Sequence, residues 1–184
     1  MIEPIRDLEK LEQFKKELMK KNYRDYLLFK TGLNTGLRVS DVRTLIVDMI
    51  RDPHGTMKNH ISIIEKKTGK TKVFVINPEL KQELKDYTEN MNAGEYIFKS
   101  RKGENKPLTN TQVWRIIKEC AEKCGLENIA THTMRKSFSY HFIKQFNDIA
   151  SLQLILNHSS SETTLSYAGI KQEEIDNKCV NLSL

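Results

Sequence analysis

Three short polar segments concentrate side chains that can bind and activate a phosphate. In Thr35-Gly36-Leu37-Arg38-Val39-Ser40-Asp41 a glycine turn feeds a helix start, and Arg38 and Asp41, three residues apart, share one helical face. A carboxylate at that spacing can hold the guanidinium while its fork faces outward toward an anion, although an ordinary surface ion pair has the same spacing. Thr131-His132-Thr133-Met134-Arg135-Lys136-Ser137-Phe138 again sets a histidine and an arginine three apart at a helix start, where free backbone N–H groups attract anions. The third segment runs from Leu156-Asn157-His158 to Tyr167 through Ser159, Ser160, Ser161, Thr163, Thr164 and Ser166. It joins a histidine to a tyrosine, a possible oxygen nucleophile. By itself Tyr167 reads equally well as a packing or surface aromatic.

Other chemistries are poorly served. Gly69-Lys70-Thr71 ends like a phosphate-binding loop, but Ile64 stands where the loop's first glycine is required. Cys120 and Cys124 lie one helical turn apart, with no second Cys or His pair at finger-like spacing, so they read as core thiols. No cluster of carboxylates marks a magnesium site.

These residues belong to a chain of 184 residues, 38% hydrophobic and 29% charged, against about 25% charged for an average soluble domain. That length and balance predict one globular domain over 1–184. Lys and Arg outnumber Asp and Glu by 30 to 24, a net +6, which suits a polyanionic partner such as nucleic acid as well as a merely soluble basic protein. No run approaches the ~18 apolar residues of a spanning helix, and no basic-then-apolar leader opens the chain, so no membrane is expected as a partner. Three cysteines are too few for a disulfide framework and agree with a reducing, cytoplasmic setting.

The elements that must position the polar segments are mainly helical. Leu8, Leu11, Phe14 and Leu18 predict a helix over 8–20, and a second over 23–31 is expected to break at Gly32. Ser40 predicts an N-cap for a helix through Leu45. Ile61, Ile63 and Glu65 alternate, as do Val73 and Val75 beyond Thr68-Gly69-Lys70, which predicts a β-hairpin with a glycine turn. Pro78 opens a helix to about Met91, and Tyr96-Ile97-Phe98 is a short extended piece. Thr109 or Asn110 caps a helix whose apolar stripe is Val113, Trp114, Ile117, Ala121 and Cys124. Further helices are expected over 133–145, 148–156, 163–167 and 172–184. The fold class is therefore mainly α with a small antiparallel β-sheet, an α+β arrangement.

The order of these features, an arginine, a hairpin lysine, His-x-x-Arg, and a histidine followed by a tyrosine, resembles the catalytic domain of the tyrosine recombinases, the phage-integrase family. The resemblance extends from Pro4 to Tyr167. It implies that family's DNA breaking-rejoining fold and site-specific recombination through a 3′-phosphotyrosine intermediate, with no metal and no cofactor. By resemblance Arg38 and Arg135 are the two catalytic arginines, Asp41 the acid that steadies the first, His132 the first histidine, His158 the later His or Trp position, and Tyr167 the nucleophile. The family's hairpin lysine, frequently just before Thr-Gly, points to Lys67, with Lys66, Lys70 and Lys72 close by. These neighbours, together with Lys136, are expected on the DNA backbone.

Two positions depart from the family pattern. Asn157 replaces the usual glycine before the histidine, and asparagine is the residue that next best tolerates a left-handed turn. Lys136 replaces a frequent histidine and keeps a positive charge. The resemblance also implies double-stranded DNA as the partner, a monomer in solution and a tetramer only on paired sites. The family's core-binding domain, which usually comes first, and any arm-binding domain have no counterpart ahead of Gly36, so the chain is expected to be a catalytic domain separated from the rest or a naturally short relative. Two other readings remain open: strand relaxation of the type IB topoisomerase kind, and a DNA-binding relative that has lost catalysis.

Overall fold

In a computed structural model, residues 2–64, 71–170 and 180 are described. Helix α1 (Leu8–Lys21) begins at Asp7, whose carboxylate accepts from the backbone N–H groups of Glu9 and Lys10 at 2.7 and 3.1 Å. Its Leu11, Phe14 and Leu18 are buried, whereas Leu8, in the first turn, is 65% exposed. Helix α2 (Tyr23–Thr35) runs straight through Gly32, contrary to the break predicted there. A Cβ at position 32 would stand 2.9 Å from Met134 Sδ, so this glycine is a notch that admits a later helix. The helix ends instead at Gly36, in the left-handed conformation (φ 67°).

Arg38 has extended backbone and leads into α3 (Val39–Val42), so Ser40 lies inside the helix and is not its cap. Its hydroxyl donates to Asp41 Oδ1 at 3.3 Å. A short α4 (Val47–Ile50) follows. Strands β1 (His60–Ile64) and β2 (Thr71–Val75) pair antiparallel, with Ile61 opposite Phe74 and Ile63 opposite Lys72. Paired residues share a face. Phe74 is therefore the buried residue of β2, and Val73 and Val75 are 59% and 63% exposed. The predicted turn Thr68-Gly69-Lys70, with Lys66 and Lys67, lies outside the described residues.

Helix α5 (Pro78–Tyr87) is capped by Asn77 and stops short of Met91, where Thr88 turns its hydroxyl back onto Leu84 O at 2.7 Å. Of the piece predicted to be extended, only Tyr96 forms a strand-like bridge, and Ile97 and Phe98 lie in a turn. Tyr96 bridges Ile46, Ile97 N donates to Leu45 O at 2.9 Å, and both Ile97 and Phe98 are fully buried. Helix α6 (Asn110–Lys123) is capped by Thr109, which exchanges hydrogen bonds with Gln112 in a capping box. Its buried stripe is Val113, Ile117, Cys120 and Ala121, continued by Cys124. Trp114 is 41% exposed under Lys118 and does not belong to it.

Three helices close the described fold: α7 (Thr133–Phe146), α8 (Ile149–Leu156) and α9 (Ser161–Ala168). The first two end on left-handed asparagines, Asn147 and Asn157. The last starts two residues earlier than predicted because Ser160 Oγ accepts from Thr163 N. The helix predicted over 172–184 falls outside the described residues except for Val180. One large core joins α1, α2, the hairpin, α5 and α6 to Met134, and a smaller cluster unites Ile143, Leu152, Leu156 and Ala168. Charge is buried between α2 and α5, where Lys30 Nζ reaches Glu79 at 2.5 Å and Glu83 at 2.8 Å. Among the described residues no helix is long and apolar enough to cross a membrane.

Candidate active site

Helix α7 builds the centre of the site. Arg135 is only 4% exposed, yet it is satisfied: it donates to Gly36 O at 2.5 Å and to Leu156 O at 2.7 Å. Both acceptors sit at helix C-termini, where carbonyls lack helical partners and the dipole is negative. One guanidinium thus joins the ends of α2 and α8. Gly36 is required twice over, by its positive φ and because a Cβ there would lie 2.6 Å from the Phe138 ring. Burial lowers the Arg135 pKa and the Arg38 charge adds to this, while Tyr167 and Asp41 act in the opposite direction.

Tyr167 is half-buried on α9, within the field of the Arg135 guanidinium. Its hydroxyl lies 3.5 Å from His132 Nδ1, its ring meets His158 edge-on at 5.1 Å between centroids, and Lys136 Nζ sits 5.4 Å from its centre. Burial raises the Tyr167 pKa, and the positive charges of Arg135 and Arg38 pull it back down. The phenol is therefore neutral at pH 7. Lys136, expected on DNA, also gives one hydrogen to Ile2 O at 2.9 Å.

His158 follows the left-handed Asn157, so the asparagine does what the family's glycine would do. Its Nδ1 lies 3.3 Å from Thr164 Oγ1, and Thr164 donates its single hydroxyl hydrogen to Ser160 O at 3.0 Å. Nδ1 must then be the donor in the first contact, which leaves Nε2 as the acceptor of the neutral ring. Thr164 is fully buried and had no signal in the sequence, since hydroxyls are plentiful in that run.

Arg38, exposed at the start of α3, and Lys72, half-buried on β2, complete the set. Arg38 acts electrostatically on His132, Arg135, His158 and Tyr167, and Lys72 on His158. The structure thus brings together Arg38, His132, Arg135, Lys136, His158 and Tyr167, with Asp41 and Lys72 at the margin. Lys66, Lys67 and Lys70 are not among the described residues. His54 and His60 are exposed and take no part, His54 in a turn and His60 at the start of β1.

Both histidines are held below the usual imidazole pKa. Burial is the largest cause and Arg135 the next, with Lys136 and Arg38 contributing at His132, and Arg38 and Lys72 at His158. A histidine that resists protonation only when folded costs nothing above its unfolded pKa near 6.5 and destabilises the fold progressively below it. The melting temperature is expected to fall between pH 7.5 and 5.5, and to fall less in a His132→Asn/His158→Asn double variant. An equal fall in both proteins would remove these two groups as the cause.

Residues 6–174 match the phage integrase family. The chain is 45% identical over 173 residues to the probable integrase/recombinase YoeC of Bacillus subtilis, covering 94% of this chain and 92% of that protein. It is 29% identical to tyrosine recombinase XerA of Pyrococcus furiosus over 91% of this chain, but spans only 57% of that relative's length. A crystal structure of XerA recombinase superposes on the whole chain and on 68% of its own with a TM-score of 0.77 at 19% identity. The catalytic domain of bacteriophage HP1 integrase covers 98% of this chain and 95% of its own, with a TM-score of 0.64 at 18% identity. These two structural likenesses concern the fold, and they bear out a mainly α arrangement with a small antiparallel sheet.

Proposed function

The chain belongs to the phage integrase family, and from that premise we propose that it is a tyrosine-type site-specific recombinase that cuts and rejoins double-stranded DNA through a covalent bond to Tyr167. The observation that carries this reading is the approach of the Tyr167 hydroxyl to His132, beside His158 and within the field of Arg135 and Arg38. In the reaction Tyr167 Oη attacks the scissile phosphorus and the bond from phosphorus to the 5′ oxygen breaks. The phenolic proton goes to a histidine, and the leaving oxygen takes a proton from a hairpin lysine, Lys67 by resemblance.

Charge builds on the two nonbridging oxygens of the five-coordinate phosphorus. Arg38 and Arg135 meet that charge with forked donors already held in place, and α7 points its N-terminus the same way. One phosphoester bond replaces another, so a second 5′ hydroxyl can reverse the step or reseal onto a different strand. Lys66, Lys70, Lys72 and Lys136 serve the DNA backbone, and Asp41 supports the arginines. Assembly into a tetramer on paired sites, from a monomer in solution, and action in the cytoplasm complete the proposal.

The test begins with a duplex enriched from a random pool by its affinity for the protein, then nicked beside the cut so that the severed end diffuses away. A protein–DNA band that survives denaturant, with its 3′-phosphate mapped to the peptide containing Tyr167, is expected. Measurable binding without any band would leave a DNA-binding relative without catalysis. Relaxation of a supercoiled plasmid without exchange of strands between sites would favour the topoisomerase kind of activity.

A further inference from the structure

Residues 2–6 form a strap along α7 whose backbone is held mainly by side chains of that helix. Glu3 N donates to Asn128 O at 2.9 Å and Thr133 Oγ1 to Glu3 O at 3.0 Å. Ile5 N donates to Ser137 Oγ at 2.8 Å, and His141 Nε2 lies 2.9 Å from Ile5 O. Pro4 and Ile5 are buried beneath. From this strap Arg6 reaches across to α9. Its Nη2 donates to Glu3 Oε2 at 2.7 Å and to Gly169 O at 3.3 Å, and its guanidinium lies 5.7 Å from the centre of the Tyr140 ring. Gly169 is the left-handed cap that ends α9, two residues beyond Tyr167, and a Cβ there would stand 3.0 Å from the same Nη2 and 3.3 Å from Pro4 Cγ.

We infer that Arg6 is a positioning residue for Tyr167: by bonding both Glu3, tethered to the start of α7, and the carbonyl that ends α9, it sets the spacing between the nucleophile and the cationic groups on α7. This inference rests on the reading of Tyr167 as nucleophile. Helix α9 is only eight residues long and packs on the smaller of the two cores, so its place depends on few contacts. The Tyr167 hydroxyl is 3.5 Å from His132, at the edge of hydrogen-bond reach, where a small displacement breaks the contact. Misplacement of reacting groups by about 1 Å can cost on the order of 10²-fold in rate. Removal of one brace among several contacts is expected to cost about tenfold.

Arg6→Ala and Arg6→Lys are to be compared with the parent chain in single-turnover cleavage of the nicked duplex at saturating DNA. Duplex Kd is measured alongside in a Tyr167→Phe background, and amide exchange is followed across 161–169. Arg6→Ala is expected to cleave about tenfold more slowly with Kd within about twofold, and to exchange faster in α9 but not in α5. Arg6→Lys, which keeps the charge without the planar fork, is expected to fall between the two. An unchanged rate with unchanged exchange would overturn the inference. So would a loss wholly explained by weaker binding, since Arg6 would then be a DNA contact. Should the parent chain itself form no adduct, the recombinase reading fails, and exchange across α9 still decides whether Arg6 braces that helix.

Discussion

Tyr167→Phe is expected to fold and bind duplex DNA like the parent chain and to form no covalent adduct, a loss of at least about 10⁴-fold, because no other atom of that ring can attack phosphorus. The hydroxyl lies 3.5 Å from His132 Nδ1 and within the field of Arg135. Arg135 keeps its bonds to Gly36 O and Leu156 O when the phenol goes, so no buried group is stranded. The ring keeps its edge contact with His158 and its place under Lys136. Stability is therefore expected to change by about 1 kcal/mol or less. Gel separation after denaturation, together with equilibrium binding, checks both halves. An adduct from the variant would mean a different nucleophile.

Arg135→Ala is expected to fail in two ways at once. It removes a forked donor from the place where charge develops, which costs about 10²–10³-fold in cleavage by analogy with the loss of one fixed oxyanion donor. It also strands Gly36 O and Leu156 O, each at about 1–3 kcal/mol, so the domain is expected to lose roughly 2–6 kcal/mol and to melt on the order of 5–15 °C lower. Arg135→Lys separates the two effects. The ammonium keeps the charge but cannot span both carbonyls in one plane, so a smaller fall in melting temperature is expected alongside a cleavage defect that persists. A variant with normal cleavage and normal melting would show that the guanidinium serves neither purpose.

The polar blocks could be read from the sequence because their chemistry depends on side-chain type and on helical spacing. His132 and Arg135, or Asn157 and His158, carry their own local geometry wherever the chain goes. Gly32 misled because glycine has two uses, breaking a helix or admitting a neighbour, and only the position of Met134 in space distinguishes them. The alternation of Val73 and Val75 marks a strand without saying which face is inward, since that follows from the register that pairs Ile61 with Phe74. Trp114 shows the limit of an apolar stripe, since a large ring can lie on the helix surface beneath a lysine chain. The strap of residues 2–6 gave no signal at all. The strap offers mainly backbone N–H and C=O groups, and its partners Thr133, Ser137 and His141 are polar side chains of α7 130 to 136 residues away, so local composition and periodicity do not record the pairing.

The same strap bears on when during synthesis the site comes into being. Ile5 is bonded to a residue 132 positions later and Arg6 to one 163 positions later. A ribosome adds roughly 5–20 residues per second, so the strap exists for about 8–30 s before Gly169 has been made. During that interval a nascent chain carries Arg38 and Lys67 in its sequence but not Tyr167, the proposed nucleophile. If Tyr167 is the nucleophile proposed above, strand cutting waits until α9 has been made and has docked against the strap.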